Sequence, residues 1–539
     1  MKFARIIPLA ALASGTTTKA IDESFEPDDF NVTAALHNLG VVVETLPQPP
    51  PVAPRSDKKI TFASCPLACA SLNILFAQDS VLSKGSPPYD NFIEAYWSAQ
   101  QGAVSPSCVF KPTKISEVSA VVLLARFYQC PFAVKGGGHA AFAGSSGIED
   151  GITISMENFK QVEVATDKKT VDVGPGMRWV DVYTAVEQYG LSVAGGRMAP
   201  VGVPGLILGG GISHFASKLG WACDNVASFE LVTASGLPIT VSPTSYPDLF
   251  WALRGGGNNF GIVTNFKLNT FPLGQMWGGD RIYSEDSFPD VLDAISHFTL
   301  EGSKKDVDAA QILTFLTYPG VGKVAFTNLH YAKPVANAPV FSRWNNMTAL
   351  TDTTGLRTMS GMANHMNEGA PAVGTFETWW GISLKMDRSL LQFVVNAFFE
   401  QEATVAGVEK ILLAMAVQPI TEGALTAMQK NGGNALGLNP DNGPYFVLNF
   451  NAAWTKQEDE PKFHNAISNV IKAAKSEAKR KGLDNDFIYL NYASEFQDPI
   501  GSYGAASKER LMKVSKKYDP AQVFQYLQPG GHKLSKGGQ

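Results

Sequence analysis

The spacing of apolar positions changes character along the chain. Between about residue 105 and 275, short apolar runs alternate with helical stretches. "CVFKP" and "PFAVK" read as strands flanking "SEVSAVVLLARFYQ", whose length and apolar spacing predict a helix capped by Ser116. "GITIS" and "TVDVG" are further strands, the second alternating as a half-buried strand does. In "RWVDVYTAVEQYG", Trp179, Val182, Tyr183 and Val186 recur at helical spacing, and Gly190 supplies a stop. "SFELVTASGLPITVS" reads as a hairpin turning at Ser235 and Gly236, and "YPDLFWAL" as a helix with Pro247 in its first turn. After about 275 the glycine clusters thin out, and alternating strands such as "VAFTNLHYA" mix with helical stretches. The tail, from "DFIYLNYASEFQDPIGSYG" onward, returns to dense Tyr, Asn and Gly.

This texture predicts an α+β protein. Residues 61–275 form one unit and 276–480 a second, α/β domain with an antiparallel sheet, while 481–539 is a C-terminal segment of its own. Residues 21–60, with "LPQPPPVAP", read as an extended lead-in. At the N-terminus, Lys2 and Arg5 precede the apolar run 6–13 and the small residues Ala13 and Ala20. That is the pattern of a secretory signal over 1–20. No other stretch approaches the roughly 20 apolar residues that span a bilayer. Sequons at Asn31 and Asn346 fit a secreted, glycosylated protein.

Composition narrows the reading further. The chain has 539 residues, 45% of them hydrophobic, enough for a large core, and its net charge of −5 offers no broad basic field for nucleic acid. Cys65 and Cys69 lack zinc-ligand spacing, and no metal motif is present. In an oxidising compartment one disulfide is expected, joining Cys65 or Cys69 to Cys108, with at least one of the five thiols left free.

Four glycine-rich turns fall within about 130 residues: "KGGGH", "GPGMRW", "GLILGGGISH" and "RGGGNNFGIVT". None is a phosphate loop of the GxxxxGK[ST] kind, and none opens a helix as GxGxxG does. HExxH and GxSxG are both absent, so a zinc protease and an α/β-hydrolase are poorly supported. Backbone-exposing loops at β/α junctions do suit a large anionic ligand, because glycine N–H groups reach a pyrophosphate unobstructed.

"PFAVKGGGHAAFAGSSGIEDGITISMENF", "VDVGPGMRWVDVYTAVEQYGLSVAGGR", "VGVPGLILGGGISHFASKLGWACDNV" and "DLFWALRGGGNNFGIVTNF" strongly resemble the two-subdomain, PCMH-type FAD-binding domain of the vanillyl-alcohol oxidase family. "FIYLNYAS" and "YDPAQVFQYLQPGG" resemble the C-terminal segment of its berberine-bridge-enzyme-like branch, in the secreted fungal form, which returns to the FAD domain. The resemblance runs from about residue 60 onward. It implies FAD, joined through the flavin 8α-methyl to His139. It also implies a cofactor cradle of Lys135, Gly136, Gly137, Gly138, Ala140 and Gly144 in the first loop, Gly174 in the second, and Gly196 after the helix that follows it. Val201 and Gly202 precede the third, which supplies Gly205, Gly209, Gly210, Gly211 and Ser213, and Gly261, Ile262 and Val263 lie in the fourth. Many relatives carry a second, cysteinyl tether where "GGRMAPVGVPG" has Met198. A methylated thioether cannot make that bond, and Cys223 lies too far along the chain, so a single covalent link is expected. At Val201 the family has a control point for oxygen, and a small β-branched residue there leans towards oxidase chemistry.

On the substrate side, a strand over "FIYLNYA" would place Tyr489 and Asn491 on one face and Tyr492 on the other. Tyr489 is the candidate base, with its phenol acidified by its surroundings, and Asn491 a partner for flavin or substrate. Tyr492 is a third catalytic candidate or a packing residue. His214 lines the pocket or packs, and "TFETWWGISLKM" supplies a wall or buried sheet. The expected activity is an oxidase acting on a small organic substrate, with O2 as acceptor, in the tailoring or oxidative cyclisation of a secondary metabolite. The alternatives are an oligosaccharide oxidase and a flavin-retaining, non-redox cyclase.

Overall fold

The computed structural model describes residues 24–49 and 62–535. The signal segment expected over 1–20 lies outside them. Three sheets carry the architecture. The first has the order Val81–Ser83, Cys108–Phe110, Ile152–Ser155, Phe132–Lys135, and its last two pairings are parallel. The helix Ile115–Tyr128 makes the crossover that parallel strands require. The second sheet is antiparallel, with Thr170–Val173, Ile262–Pro272 and Val226–Val232 at its centre. The third, antiparallel and nine-stranded, is built from residues between Met276 and Asn485. The mixed α+β class with antiparallel sheets is as the sequence predicts.

Several local expectations hold. The helix Trp179–Glu187 buries Trp179, Val182, Tyr183 and Val186, and Gly190 follows at φ +71°. Val226–Val232 pairs with Pro238–Val241 around Gly236 at φ +75°. Others need correcting. Ser116 does not cap its helix. Lys114 holds the N-cap position, and Glu117 reaches back to accept from the Thr113 N–H at 2.7 Å.

The lead-in is not simply extended. Asn31 caps a helix, Val32–Asn38, its Oδ1 accepting from Ala34 N–H at 3.0 Å. Leu36, Val41, Val43 and Leu46 then join the core around Ile115–Tyr128. Arg126 grips Glu26 with two hydrogen bonds, 2.7 and 2.9 Å, both side chains nearly excluded from water. Removing one partner strands a buried charge, so Glu26→Ala is expected to cost about 3 kcal/mol, read from a denaturant melt against wild type.

Two disulfides form, where one was expected: Cys65–Cys130 and Cys69–Cys108. Cys65 and Cys69 stand four apart on the helix Cys65–Leu75 and share one face, so both reach neighbours. Cys223 is a buried free thiol. Disulfides of this kind persist in oxidising compartments. Among the described residues no helix is long and apolar enough to cross a membrane.

Candidate active site

One cavity gathers most of the motifs. Its wall takes in residues 136–142 and parts of 197–212, 257–263 and 489–493, with Trp379 from the third sheet. The glycines explain how these loops come so close. A Cβ on Gly137 would lie 2.5 Å from Gly202 Cα, and one on Gly202 would lie 2.5 Å from Gly137 N. The two backbones pack directly on each other, which any side chain would prevent. Trp179 N–H to Val201 O (3.1 Å) and Val203 N–H to Met177 O (3.1 Å) lace the second and third loops together.

Among the described residues, the backbone N–H groups of Gly137, Gly138 and His139 have no protein acceptor. Three successive amide donors bordering a cavity form a cradle for an anionic group such as a pyrophosphate. Gly136, Ala140, Val201, Gly202, Gly205, Gly261, Ile262 and Val263 border the same space. Other expected cradle residues are used by the protein itself. The Lys135 ammonium sits 4.6 and 4.9 Å from the Phe92 and Tyr96 ring centres, and burial lowers its pKa. Gly174 packs against Phe159 O, Gly196 against Trp179, and Gly209 against Asn491 Oδ1. Gly210 donates to Ile207 O, Gly211 donates to Tyr489, and Ser213 Oγ accepts from Phe215 N–H. Gly144 borders a neighbouring cleft instead.

His139 is held by two tryptophans. Its ring stacks on Trp97 at 4.1 Å and 17°, and Trp379 meets it edge-on at 6.5 Å. Burial pushes its pKa down to about 4, so the imidazole is neutral and a nitrogen lone pair is available at physiological pH. Trp97 was not foreseen from the sequence, because nothing near "EAYWSAQQG" resembles a site motif. Its segment clasps the third sheet: Gly374 N–H donates to Trp97 O and Ala99 N–H to Thr375 O, both at 2.8 Å. Gln100 Nε2 adds a bond to Glu377 O at 2.7 Å. On the other side, Ser98 Oγ and Gln101 Nε2 both donate to Ala140 O, fixing the loop that carries His139.

The strand expected over "FIYLNYA" is instead a 3₁₀ turn, Leu490–Tyr492, closed by Tyr492 N–H to Tyr489 O at 2.9 Å. The turn changes the roles of its residues. Tyr489 Oη accepts from Gly211 N–H (3.0 Å), Ile212 N–H (3.2 Å) and Asn491 Nδ2 (2.9 Å), and burial raises its pKa, not the acidification expected of a base. Asn491 Nδ2 also donates to Leu206 O at 3.0 Å, so its amide is spent bracing the glycine turn. Tyr492 is differently placed. Arg197 Nη2 donates to its Oη at 2.6 Å, and Gln418 lies on the same oxygen at 2.8 Å. Met198 and Val201 border the cavity beside them, and Cys223 does not.

The third sheet supplies the facing wall. Cross-strand pairing puts Asn328, His330, Gln418, Asn449 and Trp379 on one face. His330 from this face and His214 from the first unit stack at 3.7 Å between ring centres. His214 thus packs against a residue that sequence periodicity alone could not single out.

Residues 106–242 match the model of the FAD-binding domain family. The chain is 36% identical over 453 residues to FAD-dependent monooxygenase tpcD of Cochliobolus heterostrophus, covering 82% of this chain and 87% of that one. This chain belongs to the same family of FAD-dependent oxidoreductases. The family's fold is matched by 6-hydroxy-D-nicotine oxidase of Arthrobacter nicotinovorans, with a TM-score of 0.71 at 19% identity over 86% of this chain and 99% of that one. Physcomitrella patens BBE-like 1 matches with a TM-score of 0.69, also at 19% identity, over 85% and 97%. This oxidoreductase uses FAD, and the free amides of Gly137, Gly138 and His139 suit its pyrophosphate.

Proposed function

We propose that the protein is a secreted oxidase that tailors a secondary metabolite, passing a substrate hydride to FAD and then to O2. The observation that carries this reading is the Arg197–Tyr492–Gln418 cluster, set on the same cavity as the amide cradle and His139. FAD, when bound, supplies the two-electron acceptor. The chain's own residues do the rest. The amides of Gly137, Gly138 and His139 would hold the pyrophosphate, and neutral His139 would be the residue that carries the single covalent link. Tyr492 Oη, facing the Arg197 guanidinium, takes the proton from the substrate hydroxyl in its ionised, phenolate form, in place of Tyr489. Val201 leaves room for O2, and Met198 excludes a second tether. Residues 61–275 with 481–539 serve as the cofactor unit and 276–480 as the substrate unit. The exposed Asn31 and Asn346 carry glycans.

Mixing candidate phenolic and polyketide substrates with holoprotein under anaerobic conditions tests the reading. Flavin bleaching, followed by H2O2 on admitting air, is the expected result. Product formed without bleaching would instead indicate the non-redox cyclase.

Trp97 should matter to the tether more than to cofactor binding. Without its stack, His139 loses the surface that orients its ring. Trp97→Ala is expected to lower the covalent fraction of flavin after acid precipitation at least about 3-fold, while the native variant still binds FAD.

A further inference from the structure

Arg197 borders the cavity with an incomplete set of partners. Among the described residues, its guanidinium has one hydrogen-bond acceptor, Tyr492 Oη, and no carboxylate in ion-pair range. Five N–H donors and a full positive charge, partly withdrawn from water, call for an anion. The carboxyls on the facing sheet do not provide one. Asp280 is committed to His365 at 2.9 Å and to Asn328. Glu377 is pushed up to about 8 by burial, so most of it is uncharged at neutral pH.

Beside Arg197 stands the His214–His330 stack. His330 is 1% exposed and neither ring nitrogen has a protein partner, and His214 is 3% exposed with its Nε2 unpartnered. Burial and the Arg197 charge lower both pKa values, His330 to about 3. The two imidazoles are therefore neutral and add no charge beside the guanidinium. His330 shares its sheet face with Gln418, which reaches Tyr492. The Arg197 guanidinium, with two neutral imidazoles near it, thus adjoins the Tyr492 oxygen that takes the proton.

Building on the oxidoreductase reading above, we infer that this cavity selects substrates bearing an acidic oxygen, a carboxylic acid or a strongly enolised dicarbonyl, whose anion pairs with Arg197 beside the His214–His330 stack. The anion completes the charge balance of the guanidinium and anchors the molecule next to Tyr492.

Calorimetric titration of holoprotein without turnover tests this. Three probes are used: benzoate, the enolate of dimedone, and neutral benzamide. Saturable binding of benzoate or the enolate, at least about 10-fold tighter than benzamide, is expected, and the better probe identifies which acidic oxygen is preferred. Arg197→Met should lose at least about 10-fold in anion affinity and leave benzamide unchanged, and Arg197→Lys should retain part of the affinity. Retention of the flavin colour in each variant reports an intact fold. Tyr492→Phe should still bind the anion, which separates this inference from the assignment of the proton acceptor. Equal affinity for benzoate and benzamide, no anion binding at all, or undiminished anion binding by flavin-loaded Arg197→Met would overturn it.

Discussion

Tyr492→Phe is expected to slow flavin reduction by substrate roughly 10²–10⁴-fold, with FAD still bound. The phenolic oxygen is the group on which Arg197 and Gln418 converge, at 2.6 and 2.8 Å, and it faces the cavity. Its loss removes a proton acceptor and leaves the ring to keep packing against Tyr489 and Trp379. Anaerobic stopped-flow reduction measures this directly. Tyr489→Phe should behave differently. It removes the acceptor for two backbone N–H groups of the glycine turn, so its main effect falls on stability and on FAD retention. If Tyr489→Phe abolished reduction while Tyr492→Phe spared it, the assignment would be reversed.

His139→Ala is expected to convert a flavin that stays with acid-precipitated protein into one released almost completely to the supernatant. The native variant should still bind FAD, because the cradle amides of Gly137 and Gly138 do not depend on the imidazole. Digestion of the wild type should yield one flavin-bearing peptide, containing "GGGHAAF". A flavin–cysteine peptide would contradict the single tether implied by Met198. Release of FAD from precipitated wild type would remove the covalent role of His139 altogether.

The sequence by itself determined the order of the glycine loops and the α+β class, which rest on local patterning, and the resemblance those loops carry implied FAD. A glycine run before a histidine reads the same in any context, and the periodicity at Trp179, Val182, Tyr183 and Val186 is a property of one helix. It also singled out His139, whose loop borders the cavity. Only the tertiary structure decided which polar groups remain free. Gly174, Gly196 and Gly209 looked like cradle residues, yet each is a close-packing point for a chain segment distant in sequence or, as with Trp179, folded back upon it. The placements of Tyr489 and Tyr492 differ from the expected ones because a 3₁₀ turn replaced the strand, and a turn does not alternate faces as a strand does. Trp97, Arg197, Gln418 and His330 come from four separate stretches with no shared motif. Their meeting depends on how the third sheet closes over the glycine loops, and that long-range packing leaves no trace in local spacing.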